Sequence, residues 1–285
     1  MESTNTLNNI YSNEVYILKN TRPIGIFDSG VGGLTVVKAL IEKLPNENFV
    51  YFGDTANVPY GNKTKEQLMM YAENIINFFI TKEVKAIIVA CGTHSSVTLP
   101  ELKQEYDIPI LGVVKPGSKA AVKTTKNNRI GILATQATVN SKAYTHNIKE
   151  INSHSNVLEI ACKSFVPLVE KGKLRDNETY EAVKKYLDPL VNKNIDTIVL
   201  GCTHYPFLEP AIKDYINDNI KLVDPADETI NELIELFTAK DLLNKHNDPL
   251  AEFYVSGNDE SFYNVGKLLM GDIIKDVKKI DFQEE

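Results

Sequence analysis

Cysteine and arginine are both scarce. The 285 residues hold three cysteines, Cys91, Cys162 and Cys202, and no Cys-x-x-Cys pair, which argues against a disulfide framework and for reduced, working thiols. The three arginines, Arg22, Arg129 and Arg175, lie outside every motif described below. A carboxylate ligand would therefore be held mainly by backbone N–H groups and hydroxyls at helix starts. Basic residues are short as well, 31 Lys and Arg against 38 Asp and Glu, for a formal charge of -7. Such a chain lacks the basic face that non-specific nucleic-acid or anionic-membrane binding needs. No apolar run is long enough to span a membrane, and the opening Met-Glu-Ser-Thr-Asn-Thr has neither the basic nor the apolar region of a signal peptide. A cytoplasmic protein is expected.

What is present is a repeat. Ala-Ile-Ile-Val-Ala-Cys91-Gly-Thr-His94 and Thr-Ile-Val-Leu-Gly-Cys202-Thr-His204 are each an apolar, β-branched run ending in a small residue, a cysteine, a threonine and a histidine. A run apolar on both faces fits a parallel strand buried between helix layers, with the cysteine at its carboxyl end. Hydroxyl residues and a proline follow each copy, so each thiol is expected near a helix N-terminus, where the dipole lowers a cysteine pKa. The repeat extends further: Ile24-Gly-Ile-Phe-Asp28 matches Ile130-Gly-Ile-Leu-Ala134, and Ile110-Leu-Gly-Val-Val114 matches Ile220-Lys-Leu-Val-Asp224. With 43% hydrophobic residues the chain can build real cores. We expect two similar three-layer α/β domains with mostly parallel sheets, related by a pseudo-twofold axis, with the active site in the cleft between them. Residues 1–115 with 224–285 form the first, and 116–223 the second. Cys91 and Cys202 would then enter one cleft from opposite sides, which suits removal of a proton from one face of a carbon and return of one to the other.

Taken in order, residues 1–20 are polar, with a short Val15-Tyr-Ile-Leu18 patch, and read as a loose arm or docking strand. Asp28 ends a strand before Ser29-Gly30-Val31-Gly32-Gly33; it is either a helix N-cap or a carboxylate in the cleft. The glycine spacing matches neither a Rossmann fingerprint nor a P-loop. Pro59-Tyr60-Gly61 is a turn whose tyrosine either lines a pocket or lies on the surface. A core helix is expected over residues 64–80 and another over 96–106, and Lys115-Pro116-Gly117 reads as a breaker and hinge. Thr138 and Ser141 either cap a helix or meet ligand. Cys162 reads as an inert packing residue in a strand, Glu170 as a cleft carboxylate or a solvated helix position, and residues 261–277 as a last helix. His204 suits an imidazole that orients or protonates the Cys202 thiol, and His94 a turn cap. A structural zinc site is disfavoured because Cys91, His94, Cys202 and His204 lack short ligand pairs.

Asp28-Ser-Gly-Val-Gly-Gly-Leu34, Gly53-Asp-Thr-Ala56, Pro59-Tyr-Gly61, Val89-Ala-Cys91-x-Thr93, Gly112-Val-Val-x-Pro-Gly117, Val166-Pro-Leu-Val-Glu170 and Leu200-Gly-Cys-Thr-His-Tyr-Pro206, in this order, resemble glutamate racemase of the aspartate/glutamate racemase superfamily. The resemblance implies cofactor-independent, metal-free interconversion of L- and D-glutamate that supplies D-glutamate for peptidoglycan, in a homodimer. It implies Cys91 and Cys202 as the two bases, Asp28, Glu170 and His204 as supporting acids, and Ser29, Pro59, Tyr60, Gly61, Gly92, Thr93, Thr138 and Thr203 as substrate-binding positions. Where the family has Cys-Asn-Thr-Ala, this chain has Cys91-Gly92-Thr93-His94. Two other readings stay open here, a related racemase acting on aspartate or another amino acid and a binding protein that keeps the fold without turnover.

Overall fold

In the computed structural model, which describes residues 20–246 and 248–282, every paired strand runs parallel. β1 (Ile24–Asp28), β2 (Phe49–Gly53), β3 (Ala86–Val89), β4 (Ile110–Gly112), β9 (Ala251–Val255) and β10 (Lys278–Lys279) make one sheet in the order β10-β9-β2-β1-β3-β4. β5 (Arg129–Ala134), β6 (Asn156–Ala161), β7 (Thr197–Leu200) and β8 (Lys221–Val223) make a second in the order β6-β5-β7-β8. Each sheet contains the same four-strand order, β2-β1-β3-β4 and β6-β5-β7-β8. The sequence repeats are therefore topological ones, β1 with β5, β3 with β7 and β4 with β8. The arm expected over residues 1–20 lies, apart from Asn20, outside the described residues.

The strands are apolar on both faces because both faces are covered. Ile24, Ile26, Tyr51 and Ile88 point into one core and Phe27, Val50, Phe52, Ile87 and Val89 into another, as the two-residue period of a strand requires. In the second sheet Ile130, Ile132 and Val199 divide in the same way from Leu133, Ile198 and Leu200. Helix Lys65–Thr81 starts at a capping box between Thr64 and Gln67 and buries Leu68, Ala72, Ile75, Ile76 and Phe79. At the opposite end of the first sheet from the cysteine, the Lys85 ammonium is buried 2.5 Å from Glu47 and donates to the carbonyls of Asn20 (2.6 Å) and Leu242 (2.8 Å).

Several expectations are corrected. Lys115-Pro116-Gly117 does not break the chain: it lies in the first turn of helix Val114–Thr124, where the missing proline N–H has no intrahelical acceptor to lose. The first cysteine helix starts at Gly92, not residue 96, and stops at Val97 before a second one, Leu99–Glu105, that carries Pro100 in its first turn. The last long helix is Asp259–Met270, and the expected helix to residue 277 gives way to a single turn, Gly271–Ile273, with β10 starting after it. Cys162 falls just past the end of β6. Among the described residues no helix is long and apolar enough to cross a membrane.

Candidate active site

The carboxyl ends of β1, β3 and β7 carry the chemistry. Asp28, the last residue of β1, is fully buried and accepts hydrogen bonds from the Gly30 N–H (3.1 Å) and, across the cleft, from the Thr203 hydroxyl (3.0 Å). It is not a helix cap, since helix Leu34–Lys43 begins at Gly33 with no side-chain cap. Burial pushes its carboxyl above the ordinary range, against the opposing pull of the His204 charge and of the Gly30 and Thr203 donors.

Glu170 ends helix Phe165–Glu170 and, with its side chain 24% exposed, turns its carboxylate toward His204. Its Oε1 accepts from His204 Nε2 (2.6 Å) and from the Val31 N–H (3.3 Å), and His204 Nδ1 lies 3.8 Å from Cys202 Sγ. Carboxylate, imidazole and sulfur thus form one chain. Burial pulls the His204 pKa down, but the Cys202 contact and the Glu170 carboxylate outweigh it and hold the imidazole well above its usual range. Burial likewise opposes the Glu170 charge, and the His204 and Val31 donors bring that carboxyl below its usual range. Both shifts favour the imidazolium–carboxylate form of the pair. The Ser29–Gly33 turn reaches this chain because it lacks side chains where it touches it: a Cβ at Gly32 would lie 2.6 Å from Thr203 Oγ1 and 2.7 Å from His204 Cε1.

Cys91 departs from expectation. It does cap a helix, Gly92–Val97, yet burial and the Asp28 charge drive its thiol far above the ordinary value, against the weaker help of the His94 and Thr93 N–H groups. The helix terminus does not make it a thiolate in this form. Tyr60 is buried against Cys91 and Leu68, so the surface-turn reading fails; its hydroxyl donates to Asp54 (2.5 Å). His94 does not cap its turn. Its ring is fully buried, edge-on to Tyr60 with centroids 4.6 Å apart, with Nδ1 3.0 Å from Thr98 Oγ1. Burial pulls its pKa down to about 3, which makes it a neutral packing group. Ser29 is buried beside Asp28.

A hydroxyl chain crosses the cleft. Thr93 and Thr135 oxygens are 2.9 Å apart, Thr135 donates to Thr138 (3.1 Å), and Ser96 donates to Thr138 (3.3 Å). Ser141 donates to the Thr138 carbonyl (2.7 Å) and so supports the helix. Gly61 lies against Thr135 and Gly92 against Gly201, while Pro59 precedes the one-turn helix Tyr60–Asn62. Sequence reasoning missed Thr135 and Ser96 as site residues; the signal was the placement of Thr135 directly after β5, at the same edge as the cysteines. Cys162 is a core residue whose carbonyl accepts from the Tyr205 hydroxyl (3.1 Å). Among the described residues no group of three or more His, Cys, Asp or Glu is placed to hold a metal ion.

The Asp/Glu/Hydantoin racemase family matches residues 32–233. The glutamate racemase of Thermoanaerobacter pseudethanolicus is 43% identical over 265 residues, 93% of this chain and 99% of the relative. That of Carboxydothermus hydrogenoformans is 44% identical over 260 residues, 91% of this chain and 96% of the relative. Among solved structures, glutamate racemase isoform RacE1 from Bacillus anthracis superposes with a TM-score of 0.88 at 35% identity, covering 91% of this chain and 97% of its own. The Francisella tularensis glutamate racemase in complex with D-glutamate gives 0.86 at 35% identity, covering 92% and 98%.

Proposed function

Because the chain belongs to the Asp/Glu/Hydantoin racemase family, among its glutamate racemases, we propose that it inverts glutamate with Cys91 and Cys202 as the two proton-transfer groups and no cofactor. The observation that carries this reading is the pairing of unlike sulfurs. Cys202 Sγ lies 3.8 Å from His204 Nδ1, whose ring is bonded to Glu170, while Cys91 is buried beside Asp28, whose charge and the burial push its thiol up. One sulfur takes the α-proton as the other delivers one to the opposite face, and each later returns to its starting state. An α-carbanion is stabilised only in a site that excludes water and offers fixed donors. Burial of Asp28, Thr93, Thr138 and His204 supports such a site.

The substrate carboxylates would be held by Ser29, Thr93, Thr138 and Thr203 and by N–H groups of the Ser29–Gly33 turn, with Pro59, Tyr60, Gly61 and Gly92 lining the cleft. Residues 1–115 with 224–285 and residues 116–223 would be the two lobes that close on it. The cellular role that fits is supply of D-glutamate for peptidoglycan and cell shape by a cytoplasmic homodimer. Circular dichroism of the purified protein with L-glutamate and, separately, L-aspartate tests the substrate. Loss of optical rotation with glutamate supports the proposal; inversion of aspartate alone moves it to a sister activity, and silence with both removes it.

A further inference from the structure

We propose that Gly92 is a positioning residue that sets how closely the two thiol-bearing strand ends approach. A Cβ at position 92 would lie 2.4 Å from the Gly201 carbonyl oxygen and 3.8 Å from Cys202 Cα, all backbone of the facing lobe. Residue 92 follows one cysteine and residue 201 precedes the other. The two catalytic backbones therefore touch at this point, and only a residue without a side chain permits it.

Neither side of the contact has room to retreat. Gly201 is pinned by its N–H to the Leu133 carbonyl (2.8 Å), and a Cβ on it would itself lie 2.9 Å from that oxygen and from the Tyr144 ring. The helix that starts at Gly92 is tied to the first sheet through Ser95, whose N–H reaches the Cys91 carbonyl (2.9 Å). The Ser95 hydroxyl donates to Val89 (2.8 Å) and accepts from the Val113 N–H (3.1 Å). The remaining soft coordinate is the distance between the lobes. Ordinary van der Waals contact begins at 3.4 Å, so any side chain at 92 would part the strand ends by roughly 1 Å. The bonds that cross the cleft, Thr203 to Asp28 at 3.0 Å, Val31 to Glu170 at 3.3 Å and Thr93 to Thr135 at 2.9 Å, would lengthen beyond hydrogen-bonding range. The asparagine of the resembling motif would do the same. In this chain position 92 acts through the contact it allows and not through an amide.

The test compares wild type, Gly92→Ala and Gly92→Asn as full-length chains. Timed iodoacetamide alkylation is read at each cysteine by mass spectrometry, and kcat and KM for glutamate are measured beside it. Cys91 and Cys202 are 5% and 6% exposed and Cys162 is 1% exposed, so Cys162 reports general loosening. We expect both variants to alkylate severalfold faster at Cys91 and Cys202 with Cys162 unchanged. We also expect kcat to fall about 100-fold with KM moved far less, the loss that a displacement of about 1 Å brings at a reacting centre. Unchanged alkylation, equal acceleration at Cys162, faster alkylation with full kcat, or a Gly92→Asn variant as active as wild type would each overturn the proposal. The kinetic arm rests on the racemase reading and the alkylation arm does not. A wild type that inverts no amino acid would remove that reading alone and leave the alkylation pattern to decide the contact.

Discussion

Replacing Glu170 with glutamine keeps the shape of the side chain and removes its charge. The amide oxygen can still accept from Val31, but the buried His204 imidazolium loses its counter-ion, which sits 2.6 Å away. A hydrogen bond between charged groups contributes about 1.5–3 kcal/mol. With about 1.4 kcal/mol per tenfold, the variant should lose about 10- to 100-fold in kcat. The same energy appears as a pH effect. Glu170 is one of the two groups that hold His204 above its usual range, so without it the imidazolium gives up its proton at lower pH. The assay is initial racemisation rate by circular dichroism across pH. The alkaline limb should move down in the variant and the acid limb should stay. A uniform loss with an unmoved alkaline limb would refute the relay through His204, as would full activity.

Three further outcomes follow from the same geometry. The Glu170–His204 pair stabilises the fold within a window. The share of Glu170, whose folded pKa is lowered, is present above the ordinary glutamate value of about 4.3 and is lost as pH falls through the folded value. The share of His204, whose folded pKa is raised, is full below about 6.5 and is lost as pH rises through the folded value. Urea titrations should therefore show the widest gap between wild type and Glu170→Gln at about pH 5–6.5. Lys85→Met leaves Glu47 buried without its partner and should cost about 3–5 kcal/mol of unfolding free energy, with activity per folded molecule unchanged; a loss below 1 kcal/mol in chemical denaturation contradicts the structural role. His94→Ala opens a void beneath Tyr60 and should cost about 2 kcal/mol or more. Its pH–rate profile should match wild type, because His94 is neutral above about 3; a displaced limb would show that His94 titrates.

The repeat made the architecture legible, since two β-branched runs that end in cysteine specify the same strand end in each half. Asp28 and Glu170 each had a bland alternative in the sequence, and tertiary approach removed it: their partners come from elements far along the chain. β9 was illegible because its pairing with β2 is entirely long-range. The rise in the Cys91 pKa was illegible for a related reason. Local sequence reports the helix terminus, but the depth of burial and the Asp28 charge that outweigh it are properties of the assembled core. The repeat brings Cys91 and Cys202 to one cleft, but how closely Gly92 and Gly201 touch beside them is set only by the assembled fold.

The two-sulfur inversion is tested most directly by the α-proton itself. Wild type, Cys91→Ala and Cys202→Ala are incubated in deuterated water with L-glutamate and, separately, with D-glutamate, and α-deuterium is followed by NMR beside optical rotation. The account predicts that wild type inverts each enantiomer with deuterium in the product, and that neither variant inverts either one. Inversion that survives the loss of either cysteine, or product that keeps its original α-proton, would contradict it.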